Sequence, residues 1–137
     1  MLDFVSNLLN INYFRETMGN YSMELKKLAR GLMAQMEKAL KLKEKEVSKL
    51  FEGARQICRF NYYPPCPQPE KVLGLTPHSD ATGLTFVLQI GDVEGLQVKK
   101  DGKWVTVKPL PNAFIVNIGD ILEVVINTHY LLFDCLI

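Results

Sequence analysis

The sequence predicts an α+β fold in which helices come first along the chain and short β-strands follow. Between Tyr21 and Leu42, apolar residues recur every third or fourth position, which is the spacing of an amphipathic helix. Beyond Arg55, short apolar runs alternate with turn residues roughly every eight to twelve positions. That spacing is typical of a β-sandwich or a jelly roll, so we expect helices packed beside a sheet of this kind.

The longer predicted helix runs from Tyr21 to Leu42, and Phe14–Thr17 forms its first turn or a turn that leads into it. One face of this helix is apolar, and we expect that face to pack in the core. The stripe consists of five large side chains: Leu25, Leu28, Leu32, Met36 and Leu40.

A second, shorter helix is predicted directly after the first, with apolar residues facing inward: Val47, Leu50 and Phe51. Gly53 stands where a helix commonly ends. Through this region, lysines alternate with three glutamates, Glu37, Glu44 and Glu46. Mixed charge of this kind indicates a solvated helix face and not a surface for nucleic acid.

Four strands are predicted, at Leu84–Gln89, Leu96–Lys99, Trp104–Val107 and Ala113–Ile118. The middle two are joined by Lys100–Lys103, whose Asp-Gly pair is a strong hairpin signal. Upstream, the alternation of residues 56–63 predicts extended backbone, and the prolines that follow exclude both helix and central strand.

Composition limits the functional classes that need consideration. The chain is 47% hydrophobic and 23% charged with a net charge of +1, so neither nucleic acid nor a membrane surface is an expected partner. Met1–Phe4 lacks the basic region of a signal peptide, and no uncharged apolar run is long enough to span a bilayer. Three cysteines without framework spacing, Cys58, Cys66 and Cys135, are typical of a reducing compartment. We therefore predict a cytoplasmic location.

His78 and Asp80 precede the first predicted strand and are separated by one residue. On extended backbone, side chains at positions i and i+2 project to the same side. An imidazole and a carboxylate held together in this way are two of the three ligands of a 2-His-1-carboxylate triad, which binds Fe(II) and leaves positions open. By itself the pattern is not specific, because a polar turn with a capping aspartate explains it more simply.

The surrounding sequence makes the pattern specific. Six segments occur in a fixed order and nearly without gaps: Arg59–Glu70, Gly74–Asp80, Leu84–Phe86, Gly95–Val98, Gly102–Val105 and Asn117–Glu123. Together they closely resemble the plant 2-oxoglutarate- and Fe(II)-dependent dioxygenases, above all the senescence-related branch that includes flavonoid and alkaloid oxygenases. The resemblance runs from about Phe14 to Glu123.

This resemblance implies N-terminal helices followed by an incomplete double-stranded β-helix, or jelly roll. It implies an oxidoreductase that uses Fe(II), 2-oxoglutarate and O2 to oxidise a small organic molecule of plant secondary metabolism, and it allows ascorbate as an additional cofactor. His78 and Asp80 would be the iron ligands. Asn61 and Tyr63 match the family's N-x-Y, whose side chains contact 2-oxoglutarate. The alternatives are that Asn61 is a turn residue at a strand end and Tyr63 a core aromatic.

After Glu123 the resemblance ends. The family continues with an N-G-x-Y-x-S-x-x-H-R stretch and a later R-x-S, whereas this chain continues with Val124–Ile137. By count Cys135 takes the place of the second histidine and His129 falls short of it, and we expect neither to be a ligand. Because the change is abrupt and two valine codons that begin GT follow, we expect the tail to be translated intron.

We therefore predict three segments: helices over 1–53, a partial jelly roll over 54–123 and an aberrant tail over 124–137. Lacking a third iron ligand and the R-x-S, the chain is expected to be a truncated, inactive form of the enzyme. The alternative is a non-catalytic fragment or a binding module that keeps a weak metal site. The oligomeric state stays open.

Overall fold

The computed structural model describes the backbone of residues 4–127 and the side chains of residues 10–126. The chain divides after residue 58 into two compact units. The first unit contains two helices, α1 (Phe4–Ala39) and α2 (Glu46–Leu50). The second contains a single 3₁₀ turn, four strands and one helix: Pro69–Lys71, β1 (Leu84–Val87), β2 (Gln97–Lys100), β3 (Lys103–Thr106), β4 (Ile115–Ile118) and α3 (Asp120–Asn127). Two helices before the strands fit the predicted α+β class, whereas α3, which follows the strands, was not predicted.

Helix α1 begins earlier than predicted, since the backbone is already helical at Phe4. A start at Phe14–Thr17 is therefore wrong. The asparagines of the preceding stretch are weak helix formers, but no proline or glycine interrupts it, so the helix propagates through them. The apolar stripe of α1 is covered only in part, because Leu28 is 44% exposed and the other four members are half-buried. Met33, which lies outside the five, is buried, with 6% exposed.

The end of α1 is a Schellman turn built on a lysine. Lys41 has a φ of 51°, the Lys41 N–H donates to the Lys38 carbonyl, and the Leu42 N–H donates to the Glu37 carbonyl. Helix α2 ends at Leu50, and Gly53 does not adopt the left-handed conformation of a helix-ending glycine. Leu50 was predicted to face inward and is 62% exposed, while Val47 is 2% exposed.

Glu37 was predicted to lie on a solvated face and is buried instead, with 4% of its surface exposed. Its carboxylate accepts backbone N–H groups from Lys45 (3.2 Å), Val47 (2.8 Å) and Ser48 (2.7 Å). Burial acts to raise the pKa of Glu37, but hydrogen bonds from Ser48, Lys45 and Val47 outweigh burial and hold that pKa below its ordinary value. The charge pattern hid this role because a carboxylate that caps another helix looks like any other glutamate in sequence.

All four predicted strands are present, and their bounds differ from the predicted ones by at most two residues. They form two antiparallel pairs, β1 with β4 and β2 with β3. At the β2–β3 turn, Asp101 has a φ of 50° and Gly102 a φ of 75°, as a two-residue type I′ turn requires. The extended segment predicted at 56–63 forms no strand, because none of the segments that the structure describes pairs with it to make a ladder.

The core of the second unit lies under α3, where Leu122 is fully buried and Ile126 is 1% exposed. In the same unit, Phe86 of β1 and Phe114, which precedes β4, form an edge-to-face pair with centroids 6.0 Å apart. Because α3 continues to Asn127, the first residues of the predicted tail are helical. The rest of that tail lies outside the described residues, and the three-segment division stays a prediction.

Among the described helices, none combines the length and the apolar character needed to cross a bilayer.

Candidate functional site

His78 lies in the loop that leads into β1, and its imidazole is held by the backbone. The Nδ1 atom lies 2.8 Å from the carbonyl oxygen of Thr76. A carbonyl can only accept, so the hydrogen sits on Nδ1 and the lone pair of the neutral ring sits on Nε2. Metal-binding histidines are commonly oriented by a carbonyl in this way.

Asp80 presents its carboxylate to the free nitrogen of that ring. Its Oδ1 atom lies 3.6 Å from His78 Nε2, and the side chains of His78 and Asp80 are 42% and 19% exposed. In protein zinc sites, imidazole nitrogens and carboxylate oxygens bind at about 2.0–2.2 Å from the ion. One divalent ion can therefore contact both atoms, and the two side chains fit two positions of an iron site.

The loop that carries this pair is tied to the start of α3. The carbonyl oxygen of Asp80 accepts the N–H groups of Thr82 and Asp120, each at 2.8 Å. The side chain between the two ligands is engaged as well, since Ser79 Oγ donates to Asp120 Oδ2 at 3.0 Å. Asp120 lies in a segment that the sequence singled out, but its contact with the ligand loop was not predicted.

Gly119 allows the loop and the helix start to approach backbone to backbone. A Cβ atom at this position would lie 2.2 Å from the carbonyl oxygen of Thr82 and 2.7 Å from that of Asp80. Its N–H donates to Gly83, and the N–H of Ile121 donates to Thr82. No side chain fits at position 119 without moving the ligand loop.

The two residues predicted to contact 2-oxoglutarate lie in an irregular segment ahead of the 3₁₀ turn. Asn61 is exposed and Tyr63 is 58% exposed, so the alternative of a core aromatic does not hold. The Tyr63 ring lies against Gly74, where its Cε1 is 3.2 Å from the site of a Cβ. Within the described residues, neither side chain hydrogen-bonds to His78 or Asp80. Their role stays a prediction.

A third metal ligand is not present in the described part of the chain, where no group of three His, Cys, Asp or Glu side chains converges. Cys58 and Cys66 are exposed free thiols. His129 and Cys135, which were weighed as ligands and rejected, lie outside the described residues.

The region that contains His78 and Asp80 matches known proteins. A model of the 2OG-Fe(II) oxygenase superfamily matches residues 54–132. Protein SRG1 from Arabidopsis thaliana is 59% identical over 119 residues, and thebaine 6-O-demethylase from Papaver somniferum is 56% identical over 119 residues. In each comparison the match covers 85% of this chain and 33% of the relative.

Among solved structures, the crystal structure of JOX2 in complex with 2OG, Fe and JA matches with a TM-score of 0.74 and 42% identity. That match covers 89% of this chain and 36% of the JOX2 chain, so the chain spans about a third of the length of the proteins that it resembles. The family match includes His78 and Asp80 and more than half of the sequence. The chain belongs to the 2OG-Fe(II) oxygenase superfamily.

Proposed function

We propose that this chain is part of an Fe(II)- and 2-oxoglutarate-dependent dioxygenase that acts on a small organic substrate, with His78 and Asp80 as two of the iron ligands. The observation that carries the proposal is the convergence of His78 Nε2 and Asp80 Oδ1 at 3.6 Å, inside the segment that matches the family. When bound, the iron supplies the redox chemistry that couples oxidation of 2-oxoglutarate by O2 to oxidation of the substrate.

The protein groups position the reactants. Thr76 fixes the tautomer of His78, so that the unprotonated nitrogen faces the carboxylate of Asp80. Asn61 and Tyr63 are uncharged hydrogen-bonding side chains on an exposed segment, where a 2-oxo acid can reach them. The names of the relatives refer to small plant compounds such as thebaine, which supports a small-molecule substrate of secondary metabolism.

The 137-residue chain alone is proposed to bind metal weakly and to lack turnover. Its described residues supply two ligands, and its strands form two separate pairs in place of one continuous sheet. The four strands fit a part of a jelly roll, and we place the chain in the reducing cytoplasm because its described cysteines are free. The second candidate, a metal-binding module without catalysis, is favoured by the same pair of ligands.

Calorimetric titration with Mn(II) tests the ligand assignment. His78→Ala and Asp80→Ala should each weaken binding at least 10- to 100-fold, because even the loss of a residue that only supports a ligand costs about that much. Asp92→Ala, which removes an exposed carboxylate from the same unit, is the matched control and should bind like the unaltered chain. Unchanged affinity in either ligand variant would contradict the assignment.

A turnover assay tests whether the chain is catalytic by itself. The chain is incubated anaerobically with Fe(II) and 2-oxoglutarate, O2 is admitted, and succinate is measured. We expect none above the level of the His78→Ala variant. Succinate that depends on His78 would show that the chain is a working oxygenase by itself.

A further inference from the structure

We propose that Asp120 is a positioning residue for the metal pair, acting through Ser79 to hold the loop that carries His78 and Asp80. This inference rests on the proposed function of that pair and adds a residue that does not itself bind the metal. The carboxylate of Asp120 accepts a hydrogen bond from the Ser79 hydroxyl. Among the described residues no three His, Cys, Asp or Glu side chains converge, so Asp120 does not complete a metal site with His78 and Asp80.

Ser79 suits this role because of its position in the loop. It stands between the two metal-binding residues, and its hydroxyl contacts Asp120. Its Oγ reaches Asp120 Oδ2 at 3.0 Å across a separation of 41 residues in sequence. The hydrogen bond therefore holds the loop at the residue between the two ligands.

Asp120 also holds the loop through its backbone. Its N–H donates to the Asp80 carbonyl at 2.8 Å, so one residue of α3 contacts two consecutive residues of the loop. Two attachment points on adjacent residues restrict rotation of the Asp80 backbone, which in turn sets the direction of its carboxylate toward His78 Nε2.

The point of attachment is itself immobilised. Leu122 and Ile126 anchor α3 in the core with 0% and 1% exposure. Gly119 lies so close to the loop that a Cβ would overlap the Thr82 carbonyl oxygen. A shift of the loop away from Asp120 would have to break these backbone contacts as well.

Mn(II) affinity of the full chain, measured by calorimetry, tests the proposal with four variants. Ser79→Ala and Asp120→Ala should each weaken binding by about 10- to 100-fold, which is typical for residues that orient a metal ligand. The double variant should bind no more weakly than the weaker single variant, because both changes remove one shared hydrogen bond. Asp120→Asn keeps an oxygen that can accept from Ser79 and should restore most of the affinity.

A structural role alone would give a different pattern. It would lower the thermal midpoint of the metal-free protein in proportion to the loss of affinity, and Asp120→Asn would not rescue binding selectively. The Mn(II) affinity of Ser79→Ala is informative here, because Ser79 lies in a loop outside α3. Its replacement by alanine leaves the residues at the start of the helix unaltered. Mn(II) affinity of Ser79→Ala within twofold of the unaltered chain would overturn the proposal and leave the ligand assignment intact.

Hydrogen exchange of the metal-free chain decides the proposal even where Mn(II) does not bind. In Ser79→Ala, the amides of Asp120 and Thr82, which both donate to the Asp80 carbonyl, should exchange faster than in the unaltered chain. The amide of Val107, which donates to Leu96 beside the β2–β3 pair, is the internal control and should not change. Unchanged exchange at Asp120 would overturn the proposal independently of the metal assignment.

Discussion

Glu37, a residue of α1, accepts hydrogen bonds from the first N–H groups of α2, which is the role that an N-cap residue usually has. Three backbone N–H groups at the start of α2 donate to its carboxylate, and only 4% of the residue is exposed. A short helix of this kind gains little from its own hydrogen bonds, so its stability depends on the residue that satisfies its first N–H groups. The first unit is therefore held together partly by one charge.

Replacing that charge should destabilise the unit. We expect Glu37→Gln to lower the free energy of unfolding by about 1–3 kcal/mol, since it weakens hydrogen bonds to an ionised, buried acceptor. Glu24→Gln is the matched control on the same helix, because Glu24 is exposed and pairs only at the surface with Lys27. Urea unfolding of both variants gives the comparison, and equal losses would show that the N–H contacts do not matter.

The lowered pKa of Glu37 gives this contribution a pH dependence. Its pKa is about 4.5 in the unfolded chain and lower in the folded one. The folded state therefore binds fewer protons, and the contribution is fully present above pH 4.5 and lost as the pH falls through the folded pKa. Below pH 4.5 the unaltered chain should lose stability faster than Glu37→Gln, and parallel curves would contradict the assignment.

Whether a site residue could be predicted from the sequence depends on whether its partner is close to it along the chain. His78 and Asp80 are neighbours, so alternation alone places them together, and the structure brings them to 3.6 Å. Ser79 and Asp120 are 41 residues apart, and neither residue type signals that it has a partner. The metal pair could be predicted from its pattern, whereas its support depends on how β4 and α3 pack.

At the scale of elements, a turn could be predicted where its own residues determine its conformation. The β2–β3 hairpin was predictable because Asp101 and Gly102 tolerate the positive φ angles that its turn requires. The ends of the helices were not, because Lys41 and not a glycine takes the left-handed position after α1. The backbone hydrogen bonds of this turn, from Lys41 to the Lys38 carbonyl and from Leu42 to the Glu37 carbonyl, offset the cost of that conformation.

Gly102 should be the residue on which the hairpin depends. With a φ of 75°, alanine at this position is strained, and we expect Gly102→Ala to cost about 1 kcal/mol or more in the free energy of unfolding. Gly95→Ala is the control, because its φ is not positive and its Cβ would meet no atom within 4 Å. Denaturant curves of the two variants should differ, and similar midpoints would show that the turn tolerates a side chain.

Across the whole molecule, one face of the β1–β4 pair is apolar. The register places Leu84 opposite Ile118 and Phe86 opposite Val116, so all four side chains share a face. Val116 and Ile118 remain 39% and 42% exposed. Exposed apolar faces on short strand pairs favour association with another surface.

We expect the isolated chain to self-associate. Sedimentation velocity over a range of concentrations should show species larger than the monomer, and Val116→Thr, which keeps the β-branched shape, should reduce them. Val105→Thr is the control, since Val105 is 46% exposed but belongs to the other strand pair. A monodisperse monomer with one cooperative thermal transition would show that the face is adequately covered.

The spacing of the two metal ligands has a consequence for the unfolded chain. Because a single residue separates His78 from Asp80, unfolding does not pull them apart along the backbone, and a disordered chain keeps a two-point chelate. A ligand stabilises a fold only to the extent that it prefers the folded state, and any affinity for the unfolded state subtracts from that effect. Added Mn(II) will therefore raise the melting temperature by less than its calorimetric affinity implies. In this chain, a small thermal shift is compatible with a genuine metal site.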